Sequence, residues 1–192
     1  NEIANNSIDD DQNGYIDDVH GWNFYHNNNN VQDENGHGSH VAGIIAASGN
    51  NNIGIVGVAP AAKILPVRVF DRNGNATMSG IINAIIYAAD NGAQILNNSY
   101  GSMGVSQAQN DAMAYAYHKG ALPIVAAGND NWNAAYTTPA NSPFVVTVGA
   151  TQKAMNAGEA DYYAYFSNYG ANLDIAAPGQ DILSLNAANS VL

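Results

Sequence analysis

The stretch NGHGSHVAGIIAA, residues 35–47, places a histidine at the mouth of a small-residue, apolar helix. A fold that does this holds an imidazole at a fixed place, where a pKa near 6.5 lets it exchange a proton close to neutral pH. The neighbouring segments supply neither an acidic partner nor a serine nucleophile for it. Downstream the pattern alternates. Helical signals at 37–47, 78–92 and 108–120 are separated by strand-like runs at 63–70, 94–101, 122–129, 144–151 and 173–179. Short apolar runs between amphipathic helices mark buried parallel strands joined by right-handed crossovers. The expected fold class is therefore α/β, a doubly wound, mostly parallel sheet with helices on both faces, incomplete at both ends. Gly92 and Gly120 stand where helix C-caps belong, and Pro60, Pro66 and Pro178 fall near strand edges or turns.

Composition narrows the functional classes. The 192 residues hold 5 Lys+Arg against 16 Asp+Glu, a formal charge of -11, which repels phosphate backbones and removes nucleic acid as a partner. With no cysteine there is no disulfide, thiolate metal site or cysteine nucleophile. No apolar run reaches the roughly 18 residues of a membrane span, and the polar, acidic start is unlike a signal peptide. Hydrophobic residues make up 46% of the chain, enough for one sizeable core. The expected organisation is one partial domain, with 1–36 an acidic, calcium-binding loop region and 37–192 the α/β core.

In open parallel sheets the ligand crevice lies at the carboxyl ends of the strands, which directs attention to Ser99, Tyr100 and Gly101 after one strand and to Ala126–Asn129 after another. A small residue, an aromatic and a glycine in extended backbone suit a peptide added alongside as a strand. Two alanines and a glycine leave room for a ligand side chain, and the amide of Asn129 is a neutral donor fit for an oxyanion. Taken singly, the first reads equally well as a turn and Asn129 as a helix cap.

Four segments in order resemble the subtilisin-like serine proteases, the subtilases of peptidase family S8. NGHGSHVAGIIAA is similar to that family's histidine box, ILNNSYGS to its substrate-binding strand and IVAAGND to its oxyanion-asparagine segment. FVVTVGAT and FSNYGANLDIAAPG are similar to its later core strands. The resemblance implies that His37 is the catalytic base, Asn129 the oxyanion donor, and Ser99, Tyr100 and Gly101 the residues that align an extended peptide substrate. It makes Ala126, Ala127 and Gly128 a wall of the primary specificity pocket and His40 a structural histidine. A secreted, calcium-stabilised endopeptidase, monomeric and made with a prodomain, follows as the expected parent.

The family's aspartate box and its GTSM serine box do not occur in the 192 residues, so this stretch taken alone is expected to be an inactive central portion. The run TMSG at 77–80 sits before a helix, where the resemblance predicts no nucleophile. Two other readings stand beside the leading one: a noncatalytic, peptide-binding relative, and a calcium-binding structural module.

A second constellation is IDDDQNGYIDD, residues 8–18. Asp9, Asp11 and Asn13 alternate, Gly14 permits a sharp turn, Tyr15 offers a carbonyl, Ile16 is placed to anchor inward, and Asp17 adds an oxygen. That is the spacing of a calcium loop. The twelfth position is His20 and not a bidentate glutamate, so Asp18 or a remote group is needed to complete the shell, and a plain solvated acidic turn remains open. Histidines 37 and 40 lack the third ligand and the four-residue spacing of a zinc helix. His20, His26 and His118 read as surface residues.

Overall fold

The computed structural model describes residues 2–154, 158 and 160–187. These fall into two compact units: residues 2–84 with 183–187, and Ile85–Ile182. The expected partial domain, 1–192, includes positions 1, 155–157, 159 and 188–192, which lie outside the described residues.

In the first unit, residues 2–21 form turns and bends, and the chain then enters a two-residue strand, β1 (Trp22–Asn23). Tyr15 fastens the acidic loop by setting its ring edge-on to Trp22 and Phe24, with centroids 5.2 and 5.4 Å away. Ile16, expected to anchor inward, is instead 48% exposed, because the neighbouring aromatic ring has taken the inward position. Helix α1 (His37–Ala46) follows. Residues 57–59 close it: the amides of Gly57, Val58 and Ala59 donate to the carbonyls of Ala47, Ile44 and Ile45, groups a helix end leaves without partners. Gly43 faces Ser184 and Leu185 so closely that a Cβ would lie 2.5 Å from the Ser184 hydroxyl oxygen, which itself donates to the His40 carbonyl at 2.6 Å. Of the strand-like run 63–70, only β2 (Val67–Arg68) forms a ladder, parallel to β1.

Helix α2 (Met78–Asp90) carries the chain from the first unit into the second and is followed by a turn at Gly92, whose φ of 78° lies in the left-handed region that glycine adopts freely. Then come β3 (Ile95–Asn98), β4 (Ser102–Met103), α3 (Gln107–His118), β5 (Leu122–Ala126), β6 (Thr137–Thr138), β7 (Val146–Gln152), β8 (Tyr162–Tyr163) and β9 (Ile175–Pro178). The pairs β3–β5, β5–β7 and β7–β9 are parallel, β8 joins β7 antiparallel, and β4 and β6 form a separate antiparallel pair. An α/β fold with a mostly parallel sheet is therefore present, as the alternation implied. Helix α3 begins with the Ser106 hydroxyl accepting from the Gln109 amide and buries Gln109, Ala112, Met113 and Ala116, one helical face at i, i+3, i+4 and i+7.

Candidate active site

His37 is the first residue of α1, and its position is set by the turn before it. Gly36, the N-cap, has φ 102° and no side chain to cap the helix. Asp33 does so from three residues earlier. One carboxylate oxygen accepts from the amides of Asn35 and Gly36 at 2.9 and 2.8 Å, and the other from the Ser39 amide and hydroxyl at 2.8 and 2.7 Å. Burial pushes the Asp33 carboxyl up, but those hydrogen bonds from Gly36, Ser39 and Asn35 outweigh it and hold the group at about 2. Arg68 of β2 grips the same loop, donating to the Gln32 carbonyl at 2.6 Å and pairing with Glu34 at 2.8 Å. Asn35 donates to the Arg72 carbonyl at 3.0 Å. On this fixed turn the His37 side chain is exposed and hydrogen-bonded to nothing among the described residues. His40 lies one turn further, partly buried.

In the second unit β5 ends at Ala126, and the Ala127 amide donates to Val148 of β7 at 2.9 Å, so Ala127 is buried against the sheet. The chain turns at Gly128, with φ 108°, and Asn129 follows with its amide exposed and likewise unbonded among the described residues. An exposed side-chain amide on a turn at the carboxyl end of a central parallel strand can donate to an oxyanion without breaking a hydrogen bond first.

Residues 99–101 leave β3 outside any strand ladder. The Ser99 hydroxyl accepts from Asn97 at 2.9 Å. Gly101 lies so close to β6 that a Cβ would meet the Thr138 carbonyl at 3.2 Å. Tyr100 turns inward: its hydroxyl donates to the Asn98 side chain at 2.9 Å, and burial holds its phenol above the usual range. Thr138 in turn donates to Gln109 of α3 at 2.9 Å, within the same buried polar region. Ser79, in the first turn of α2, donates to the Thr77 hydroxyl at 3.4 Å. His20, His26 and His118 are all exposed, as read from the sequence.

The acidic loop brings some of its expected ligands together and diverts others. Asp9 and Asp11 lie with Glu2, each offering a carboxylate oxygen within 4.8 Å of the others. Asn13 accepts from the Tyr15 amide at 2.8 Å and donates to Asp18 at 2.9 Å. Asp17 spends its two oxygens on the amides of Asn6 and Ser7, at 2.9 and 3.1 Å. Glu2 is absent from the sequence-derived set: its oxygens accept from the Asp17 amide at 2.7 Å and the Asp10 amide at 2.9 Å, which folds residues 2–17 back on themselves. Its only signal was an acidic residue in an otherwise amide-rich start. Three carboxylates so close together form an all-oxygen donor set of the kind a hard divalent cation takes.

A sequence model of the subtilase family matches residues 2–192. The thermophilic serine proteinase of Bacillus sp. (strain AK1) is 43% identical over 171 residues, 89% of this chain and 41% of that protein. Thermitase of Thermoactinomyces vulgaris is 42% identical over 166 residues, 86% of this chain and 57% of that protein. A solved cold adapted subtilisin-like serine proteinase superposes with a TM-score of 0.78 at 35% identity, covering 90% of this chain and 59% of the other. The chain thus spans roughly half the length of these relatives. No helix among the described residues is long and apolar enough to cross a membrane.

Proposed function

The chain belongs to the subtilase family, and from that premise we propose that the whole protein is a secreted serine endopeptidase acting on extended peptides. His37 takes the proton of an attacking serine hydroxyl and returns it to the leaving amine. Asn129 donates its side-chain N–H to the oxyanion that develops on the substrate carbonyl. Residues 99–101 hold the peptide by backbone hydrogen bonds, and Ala126, Ala127 and Gly128 wall the pocket for the side chain before the cleaved bond. The aspartate and serine of the triad come from segments other than the boxes quoted above, which makes the reading one about the whole protein. The precursor carries a prodomain, and the mature enzyme is a monomer.

The observation that carries this reading is the amide of Asn129 at the exit of β5, exposed and unbonded among the described residues, in a chain whose family assignment spans both the histidine and the asparagine boxes. Hydrolysis of a peptide substrate by the full-length protein, abolished by His37→Ala and by a serine-directed inhibitor, tests it. Retention of hydrolysis in His37→Ala would remove it.

Calcium is the fitting cation for the loop. Glu2, Asp9 and Asp11 would hold it directly, with Asn13, the Tyr15 carbonyl and Asp17 contributing once the ion draws them round. The bound ion would relieve the mutual repulsion of the three carboxylates and stabilise the turns that carry β1.

A further inference from the structure

Asn168 is fully buried, 39 positions after Asn129 in sequence, yet its side chain takes hold of the turn that presents Asn129 from both sides. Its amide nitrogen donates to the Ala127 carbonyl at 2.9 Å and to the Thr137 hydroxyl at 3.2 Å. Its amide oxygen accepts from the amides of Asp130 at 2.9 Å and Trp132 at 3.0 Å. The backbone N–H of Asn168 donates to the Gly128 carbonyl at 2.9 Å. One residue therefore satisfies backbone groups at 127, 128, 130 and 132, and leaves Asn129, in the middle, with its side chain unengaged among the described residues.

Asn168 is itself fixed. The Tyr163 hydroxyl donates to the Asn168 carbonyl, the Ser167 hydroxyl donates to it at 3.1 Å, and the Ser167 oxygen accepts from the Ala150 amide of β7 at 2.9 Å. A Cβ on Gly128 would lie 2.3 Å from the Asn168 amide nitrogen, so the glycine is needed both for its φ and to admit this side chain. The amide nitrogen serves two acceptors while the amide oxygen accepts two N–H groups; an ionised carboxylate has no proton to donate, and a hydroxyl has only one.

We propose that Asn168 is a positioning residue for the reaction, fixing the backbone of the turn so that the Asn129 amide is preorganised for the oxyanion. The proposal rests on the endopeptidase reading. It differs from a packing role in its consequence: without the clamp the turn gains freedom, and a donor displaced by about 1 Å loses on the order of 100-fold in rate while substrate binding elsewhere in the groove persists. The backbone bonds from Asn131 to Phe166 and from Tyr169 to Trp132, at 2.8 and 2.9 Å, do not involve the side chain and keep the two segments together in its absence.

The test is a double-mutant cycle in the full-length protein, with Asn168→Ala, Asn129→Ala and both together, reading kcat and KM separately alongside hydrogen exchange at the Asp130 and Trp132 amides. Asn168→Ala is expected to lower kcat about 10- to 100-fold with KM changed less than about threefold, and the double variant to be no slower than Asn129→Ala alone. Exchange at the two amides should accelerate while the Ala127 amide, bonded to β7, stays protected. A kcat within about twofold of the parent, or losses that multiply in the double variant, would overturn the proposal. Should Asn168→Ala fail to fold, Asn168→Leu, which fills a similar volume but removes the amide's donor and acceptor alike, enters the same cycle with the same criteria. A parent without endopeptidase activity would end the endopeptidase reading, and unchanged exchange in the Asn168 variants would then end the clamp separately.

Discussion

The turn before His37 and the turn before Asn129 solve one problem with different chemistry. Each presents an exposed side chain with no hydrogen bond among the described residues, immediately after a glycine in the left-handed region, Gly36 at 102° and Gly128 at 108°. Each is gripped by a polar side chain that accepts several backbone amides. At the histidine the grip is a carboxylate four residues away, Asp33, which accepts and never donates. At the asparagine it is a neutral amide, Asn168, supplied by a segment distant in sequence. The charged clamp titrates, and the neutral one does not. A turn whose donors all point one way is served by an anion; a turn offering carbonyls and amides together needs a group that does both.

The largest effect that sharpens this comparison is on chemistry. His37→Ala in the full-length protein should lower kcat on the order of 10⁶-fold, because triad groups act as a unit. Activity and a melting curve measured on the same preparation would show the loss without unfolding, since an exposed, unbonded imidazole contributes no packing.

Next is the cation. If calcium occupies the Glu2, Asp9 and Asp11 group, chelation from a concentration about 100 times its dissociation constant removes about 2.7 kcal/mol. The melting temperature should fall by several degrees, and Asp9→Asn should blunt the response. Amide exchange should rise in residues 2–24 and stay unchanged at Asp130 and Trp132, which separates the two regions experimentally. A melting temperature indifferent to calcium would remove the ion from the account.

The smallest effect is on pH dependence. Asp33 is held at about 2 in the folded chain against an ordinary 3.8, so the folded state binds fewer protons. The stability it contributes is present above pH 4 and is lost as pH falls from about 4 through 2. For a carboxylate that is largely open to solvent the contribution is discounted to about 1 kcal/mol. Asp33→Asn should therefore cost about that much at pH 6 and nothing near pH 2, by denaturant unfolding at several pH values. Asn168→Ala should show a loss that is flat over the same range, and a pH-dependent loss there would break the contrast.

What the sequence made legible follows the same division. The helices read at 37–47, 78–92 and 108–120 are present as His37–Ala46, Met78–Asp90 and Gln107–His118, because apolar periodicity and C-cap glycines are local signals. Strand 63–70 shrank to Val67–Arg68, since a ladder exists only where a distant partner runs alongside. The two-residue pairs of β4 with β6 and of β8 with β7 carry no alternation and were not foreseen. Among the proposed site residues, His37 and Asn129 were singled out through the boxes that hold them, and both lie exposed on turns. Asp33 had a faint local signal, an aspartate shortly before a glycine turn. Glu2 offered only its charge and Asn168 only its place in a quoted segment, because their partners lie across loops that periodicity does not read. The Tyr15 ring, which the sequence reading did not use, packs against Trp22, and Ile16, expected to anchor inward, faces solvent.

The most direct test of the account is steady-state kinetics of Asn129→Ala in the full-length protein. Loss of a preorganised oxyanion donor predicts kcat lower by about 10²- to 10³-fold with KM nearly unchanged. A large rise in KM with kcat intact would contradict it, and would make the exposed amide at the end of β5 a substrate contact and not a group that acts on the transition state.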